Sequence, residues 1–447
     1  MNNIDNYKRT IFSWSIYDFA NQPFTTIILT FVYSTFFVDF IALTPESGSI
    51  LWGRVVSISS VFIAILSPVM GALADRGGYR KIFLIFWTWV CIIFSFLLYY
   101  PIHGDIFYSL LFFCIANIGF EMGGVFLNAY LPSIAPKEKI GRVSGYGWSF
   151  GYVGGLVALC ISYILFIQPD LPVNPLTGKL LDKSTGEHIR IINILIAVWF
   201  FIFSIPTFLF VNSKEKSKKI NLSIIHESFG SLKKTFMEIR LYKETLKFLL
   251  ARLVYNDALI TVFAFGGIYA KEVFSFTFNE IFLFGIVLNV AAGLGAFLMG
   301  FLDDKVGGKK TIQVSNYGYI LACMLAIFSP TINTINFVVN LGIDGKSIFW
   351  LSGVLIGIFS GPNQAASRSL MGRLTPKHKK NEFFGFYAFS GKATAFLGPL
   401  LFSSVVSFTG SLRYGLCVVL FLFACGIYLL SLVNENDGIK SAQNHTT

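Results

Sequence analysis

The sequence predicts an all-α polytopic membrane protein: twelve transmembrane helices in two pseudo-symmetric six-helix bundles. Three observations carry this expectation. Of 447 residues, 54% are hydrophobic and 13% charged, with mean hydropathy +0.66, whereas soluble domains carry about 25% charged residues. Twelve runs approach the roughly 20 apolar residues needed to cross a bilayer. They fall at about 12–38, 50–74, 82–100, 106–131, 143–167, 191–211, 248–270, 279–302, 311–329, 348–371, 383–407 and 413–433. Finally, Gly71–Lys81 (GALADRGGYRK) and Gly300–Lys310 (GFLDDKVGGKK) share the pattern G-x-L-x-D-[RK]-x-G-x-[RK]-[RK], each after the second run of its half. A duplicated basic hairpin between membrane-length runs is what two homologous halves leave in a sequence.

The chain divides into a first bundle at 1–212, a linker at 213–247, a second bundle at 248–434 and a polar tail at 435–447. The net charge of +11 is not a nucleic-acid footprint, because Lys and Arg concentrate in alternate connections. The positive-inside rule then places both hairpins and both termini in the cytoplasm. The six cysteines all lie inside apolar runs without a C-x-x-C pair, and the five histidines lack ligand spacing, so neither metal nor cofactor is expected. The first ten residues are polar and the run after them exceeds a signal-peptide core, so the first helix is expected to be retained.

The first span holds Tyr17, Asp18, Asn21 and Pro23. Asp18 is either a carboxylate snorkelling to the interface or a cavity or gate residue, and Pro23 favours a kink. The fourth span carries Asn117, Glu121, Gly124 and Asn128 at i, i+4, i+7 and i+11, one polar stripe that must face protein or water. Glu121 is the best single candidate for a protonatable or substrate-facing carboxylate, with a structural hydrogen bond as the alternative. The fifth span is glycine-rich, and Gly147-x-x-x-Gly151 reads as close helix packing. In the linker, Leu222, Ile225, Phe229, Leu232, Phe236 and Ile239 recur at helical spacing behind the run Lys214–Lys219. That pattern predicts an amphipathic helix lying along the cytoplasmic membrane surface.

The second half repeats the first. Tyr255-Asn256-Asp257 echoes Tyr17-Asp18, preceded by Arg252. Pro136, Lys137, Lys139, Gly145 and Gly151 recur 240 residues later as Pro376, Lys377, Lys379, Gly385 and Gly391, which makes Asn128 and Arg368 equivalent. The tenth span adds Asn363, Gln364 and Arg368, and the eleventh adds Lys392. Three acids (Asp18, Glu121, Asp257) and three bases (Arg252, Arg368, Lys392) therefore lie within about ten residues of helix ends on the basic side. An unpaired charge at the bilayer centre costs about 2.5–3.5 kcal/mol, less near an interface, so the set needs partners or water. A polar cavity or gate between the halves meets that need.

The hairpin pattern closely resembles the loop 2–3 motif of the major facilitator transporters. Tyr17–Asn21, Arg142–Gly155, Leu253–Asp257, Gly361–Leu370 and Phe383–Thr394 further resemble the vacuole-effluxer-like branch of that superfamily, the autophagy-related amino-acid effluxers. The resemblance implies the major facilitator fold, a site between the halves near the midplane, and amino-acid efflux. It also implies a gating role for Asp75 and Asp304 in hairpins that include Gly71, Arg76, Gly78, Arg80, Gly300, Lys305 and Gly308.

The functional expectation is a secondary transporter of a small organic solute, working by alternating access with protons as a candidate coupling ion. The site or proton pathway would draw on Asp18, Asn21, Asn117, Glu121, Asn128, Arg252, Asn256, Asp257, Asn363, Gln364, Arg368 and Lys392. The protein is taken as a monomer in the inner membrane, partnered by solute and bilayer and not by nucleic acid. A lipid-handling or scaffold protein on the same fold, or a facilitator of sugars or other metabolites, is the alternative. Enzymatic chemistry is not expected: there is no nucleophile–base constellation, and Gly77-Gly78 lacks the strand–helix context of a phosphate loop.

Overall fold

The computed structural model describes residues 2–444 except 176, 213–216, 219–221, 238 and 333–343. The first bundle comprises α1 (Asn2–Pro23), α2 (Pro45–Gly77), α3 (Arg80–Leu97), α4 (Ile106–Asn128), α5 (Ile140–Ser162) and α6 (Glu187–Phe210). The second comprises α7 (Lys243–Phe274), α8 (Phe278–Val306), α9 (Gly308–Ile332) and α10 (Gly345–Leu374). It is completed by α11, in two pieces (Lys380–Lys392 and Leu397–Thr409), and α12 (Leu412–Ser431). Eleven helices among the described residues are long and apolar enough to cross a membrane. The remaining one, α10, has 30 residues, but Asn363, Gln364, Ser367, Arg368 and Ser369 make it more polar than the others. These polar residues are nearly all buried by neighbouring helices, so lipid does not solvate them.

Packing within the halves follows the duplication. In the first, α1 packs on α5 and α6, and α4 on α2 and α3; in the second, α7 packs on α11 and α12, and α10 on α8 and α9. The main contacts between halves are α2 with the first piece of α11 and α5 with α8. The second piece of α11 has its main neighbours in α7 and α12 of its own half. Helices 2 and 11 thus meet at the hairpin end and separate towards the other end.

Two departures from regular helix matter. After Pro23 the chain continues as π-helix over Phe24–Phe31 and again over Phe37–Ile41. This fits a proline that removes one hydrogen-bond donor and widens the turns beside it. The eleventh span, expected to run continuously over 383–407, breaks at 393–396. Pro399 sits in the first turn of the piece that follows, where a missing N–H is tolerated.

The linker forms a helix over Leu222–Met237, and of the apolar residues that predicted it the side chains of Leu222, Ile225, Phe236 and Ile239 lie outside the described residues. Its buried stripe is Ile224, Ser228, Ser231, Leu232 and Thr235, while Phe229 and Met237 are exposed. Ser231 and Thr235 donate hydroxyl hydrogen bonds to the carboxylate of Glu382 near the start of α11, and the Lys379 ammonium donates to Thr235 at 2.7 Å. Lys218 N–H and Ser217 Oγ donate to the carbonyls of Gly77 and Gly78. The linker is therefore bonded to both sides of the α2–α11 contact; most of the run Lys214–Lys219 lies outside the described residues. Replacing both Ser231 and Thr235 by alanine leaves the buried Glu382 carboxylate short of two donors. It is expected to cost about 1–3 kcal/mol, read as a lower midpoint in thermal unfolding of detergent-solubilised protein. The tail also differs from a loose polar segment. Glu435–Asn444 is helical, and Glu435 accepts from the N–H groups of Gly308 and Lys309 at the start of α9.

Candidate functional site

Three layers of polar contact join the halves, from the hairpin end inward. In the outermost, Asp75 accepts from Asn381 N–H (3.1 Å), Asn381 Nδ2 (2.7 Å) and Glu382 N–H (2.8 Å) at the N-terminus of α11. Arg80 Nε donates to Asn381 Oδ1 at 3.0 Å. The duplicate clasp mirrors it: Asp304 accepts from Gly141 N–H (2.8 Å), Arg142 N–H (3.3 Å) and Arg142 Nε (2.5 Å) at the N-terminus of α5. Each carboxylate meets otherwise unpaired N–H groups at the positive end of a helix dipole, which is why aspartate serves at both positions.

Glycines let the helices reach this contact. A Cβ at Gly71 would lie 2.3 Å from Asn381 O, and one at Gly385 2.3 Å from Ser67 O; at Gly145 it would lie 2.5 Å from Ala296 O and at Gly300 3.0 Å from Arg142 Cα. Gly385→Val is accordingly expected to keep the hairpin ends apart. Labelling of a cysteine placed at Asn128 by a hydrophilic maleimide should then rise severalfold. Gly78 ends α2 in the left-handed region (φ 69°). In the second hairpin Gly307 (φ 93°), which aligns with Gly78 in the motif, takes that role, and Gly308, the glycine named from the sequence, packs closely on Leu370. Arg76 and Lys305 are exposed, and neither takes part in a clasp.

The second layer centres on Arg368. Its Nη1 donates to Asp18 Oδ2 at 2.8 Å and to Asn128 Oδ1 at 3.2 Å, Nε donates to Ser144 Oγ at 3.0 Å, and Nη2 to Ser144 O at 2.7 Å. The indole rings of Trp14 and Trp148 cover the guanidinium at 4.6 and 5.6 Å. Arg368 and Asn128 are duplicates of each other, so their contact places this layer beside the pseudo-twofold axis. Gly147 belongs here as well: a Cβ on it would lie 2.4 Å from Asp18 Oδ2 and 2.6 Å from Arg368 Nη2.

The third layer is the pair Lys392 Nζ–Glu121 Oε1 at 2.6 Å, with side chains 24% and 22% exposed. Glu121 lies seven residues before Asn128 on α4, about two turns or roughly 10 Å deeper. The break in α11 begins at the residue after Lys392. Beside it, Arg252 donates to Tyr387 O (2.8 Å) and Ser390 Oγ (3.0 Å) and stacks on the Tyr387 ring, and Asn256 Nδ2 donates to Gly391 O at 3.0 Å. Asp257 is 3% exposed and has no ion-pair partner among the described residues. The duplication explains why: Asp257 corresponds to Asp18, but the counterpart of Arg368 in the first half is the neutral Asn128.

Not every expected residue joins these layers. Asn117 Nδ2 donates to Ser59 on α2, and Asn363 Nδ2 donates to Asn316 on α9, so both tie helices within one half. Asn21 is buried in α1 and Gln364 half-buried in α10.

Residues 37–443 match the family described as vacuole effluxer Atg22 like. The chain belongs to that family. A curated relative, the uncharacterized MFS-type transporter YxiO of Bacillus subtilis, is 27% identical over 434 residues, covering 96% of each chain. Autophagy-related protein 22 of Vanderwaltozyma polyspora is 22% identical over 456 residues, covering 93% of this chain and 79% of that protein. The crystal structure of the major facilitator transporter FucP in the outward conformation has a TM-score of 0.69 at 12% identity, covering 96% of this chain and 98% of that one. That likeness shows the fold. This Atg22-like chain is a multi-pass integral membrane protein and an MFS-type transporter, not an enzyme.

Sequence reasoning missed several residues of the Atg22-like chain. Ser144, Trp14 and Trp148 enclose Arg368, yet an isolated serine or tryptophan in an apolar run carries no signal of its partner. Asp303, beside the motif aspartate Asp304, binds Arg373 at 2.5 Å and accepts from the Ser369 hydroxyl. The acidic doublet in the second hairpin was the available clue to that cluster.

Proposed function

We propose that this Atg22-like transporter exports a small organic solute, an amino acid, from the cytoplasm of a bacterial cell by alternating access of its two six-helix bundles. The hairpin side and both termini face the cytoplasm in this reading, and the conformation described is closed on that side. The observation that carries it is the Glu121–Lys392 pair, which joins the halves two turns inside the Arg368 layer and keeps about a quarter of each side chain exposed. A zwitterionic amino acid presents a carboxylate and an ammonium, the groups needed to replace each partner of that pair. Binding between the halves would exchange an internal ion pair for two charge-assisted bonds to the solute. Its differential affinity for open and closed arrangements would then drive the change of state. The family's description as a vacuole effluxer supports export.

The test is flux of labelled amino acids in liposomes containing the purified protein, with and without a pH gradient, beside Glu121→Gln. The reading expects flux of one class of amino acid that Glu121→Gln lowers at least tenfold. If flux also follows the gradient, a proton is coupled, and Asp257 joins Glu121 as a candidate carrier because it is buried and has no cation partner among the described residues. In that case Asp257→Asn removes gradient dependence while downhill exchange persists. No amino-acid flux from folded protein would overturn the substrate assignment.

A further inference from the structure

A groove of about 330 Å³ lies at the hairpin end of the first bundle, between the starts of α1 and α5. Of the three layers that join the halves it touches only the outermost, through Arg142. Among the described residues no acidic side chain lines it, and its polar residues include Lys8, Lys139 and Arg142. Lys8 and Lys139 are exposed and form no ion pair among the described residues, while Arg142 shares its charge with Asp304 at 2.5 Å. The apolar lining includes Phe12 and Phe150, packed edge to face with ring centres 5.9 Å apart. Phe12 is 54% exposed. Ser15 also lines the groove; it is 1% exposed, and its hydroxyl has no hydrogen-bond partner among the described residues. A serine inside a helix ordinarily bonds back to the carbonyl one turn earlier. A buried hydroxyl left without that bond is a donor available to an occupant.

We propose that this groove binds the headgroup phosphate of an anionic phospholipid from the leaflet on the hairpin side, with an acyl chain against Phe12 and Phe150. Charge selects the headgroup: three bases, two of them free of carboxylates, meet no acidic neighbour in the lining. Position selects a lipid over a soluble anion. Lys8 lies within the first two turns of α1 and Lys139 caps the start of α5, on the hairpin side where headgroups lie, and Phe12 and Phe150 lie one to three turns further along the same helices, towards acyl depth. A free phosphate would use the bases and leave the aromatic wall bare.

The experiment titrates full-length, delipidated protein in detergent with phosphatidylglycerol or phosphatidylcholine and counts retained lipids by native mass spectrometry. The expected result is one phosphatidylglycerol held at least tenfold more tightly than phosphatidylcholine. Each lysine close to an anionic headgroup contributes roughly fivefold, so Lys8→Gln/Lys139→Gln should lose about 25-fold. A control double variant that removes equal charge elsewhere on the same side, Lys310→Gln/Lys440→Gln, should change binding less than twofold. Ser15→Ala should weaken it measurably on its own, and carries the test should the double lysine variant fail to fold. Equal retention of the two lipids, an equal loss in the control variant, or displacement of the lipid by millimolar inorganic phosphate would each overturn the proposal.

Discussion

Arg368→Gln is expected to open the hairpin side and to abolish most transport. The substitution removes the cation from Asp18, whose side chain is 13% exposed, and leaves a largely buried carboxylate without its partner. Breaking such a pair costs about 3–5 kcal/mol; Asp18's residual exposure argues for about 3, a factor of roughly a hundred in the population of the closed state. The double variant Asp18→Asn/Arg368→Gln leaves no unpaired charge and should close better than either single variant. A double-mutant cycle on hairpin-side accessibility measures that coupling, and additive effects would show that the two residues do not act as a pair.

Lys392→Gln is expected to lower flux by a similar factor for a different reason. It takes a charge-assisted partner from Glu121 and, in the proposed mechanism, from the solute carboxylate. A hydrogen bond to a charged group contributes about 1.5–3 kcal/mol, or roughly ten- to a hundredfold. The hairpin-side layers do not include Lys392, so accessibility there should stay near the wild-type level. Flux and closure therefore separate the two variants: Arg368→Gln changes both, Lys392→Gln only the first. Loss of closure in Lys392→Gln would move that lysine from the site to the gate.

Much of this arrangement was readable in the sequence, and the unreadable part has a physical cause. The two hairpins were legible because duplication repeats glycine, aspartate and base at fixed spacing, and both Asp75 and Asp304 cap a helix of the opposite half. The six intramembrane charges were legible because charge in an apolar run is costly. Their pairing was not, since spacing along a helix does not fix its rotation against a neighbour. Asp18 with Arg368 and Glu121 with Lys392 emerge only when α1, α4, α10 and α11 are assembled. Asn117 shows the same limit in reverse: it shares the periodicity of Glu121 but bonds to Ser59 inside its own half. The linker's polar contacts were not legible, because amphipathicity counts apolar residues. Its buried face includes Ser228, which bonds back to the Ile224 carbonyl, and Ser231 and Thr235, whose partner Glu382 lies about 150 residues downstream. The break in α11 was hidden because Pro399 stands several residues beyond the turn it accompanies.

The central claim is that the halves rock about the Arg368 layer, so opening one end closes the other. It is tested most directly by distances between spin labels, one pair at Lys137 and Lys377 on the hairpin ends and another at Leu43 and Lys271 on the opposite ends. All four positions are exposed. Wild-type protein should show a dominant short distance for the first pair. In Arg368→Gln that distance should lengthen while the second shortens. Distances that stay fixed in the variant, or that lengthen at both ends together, would contradict alternating access about this layer.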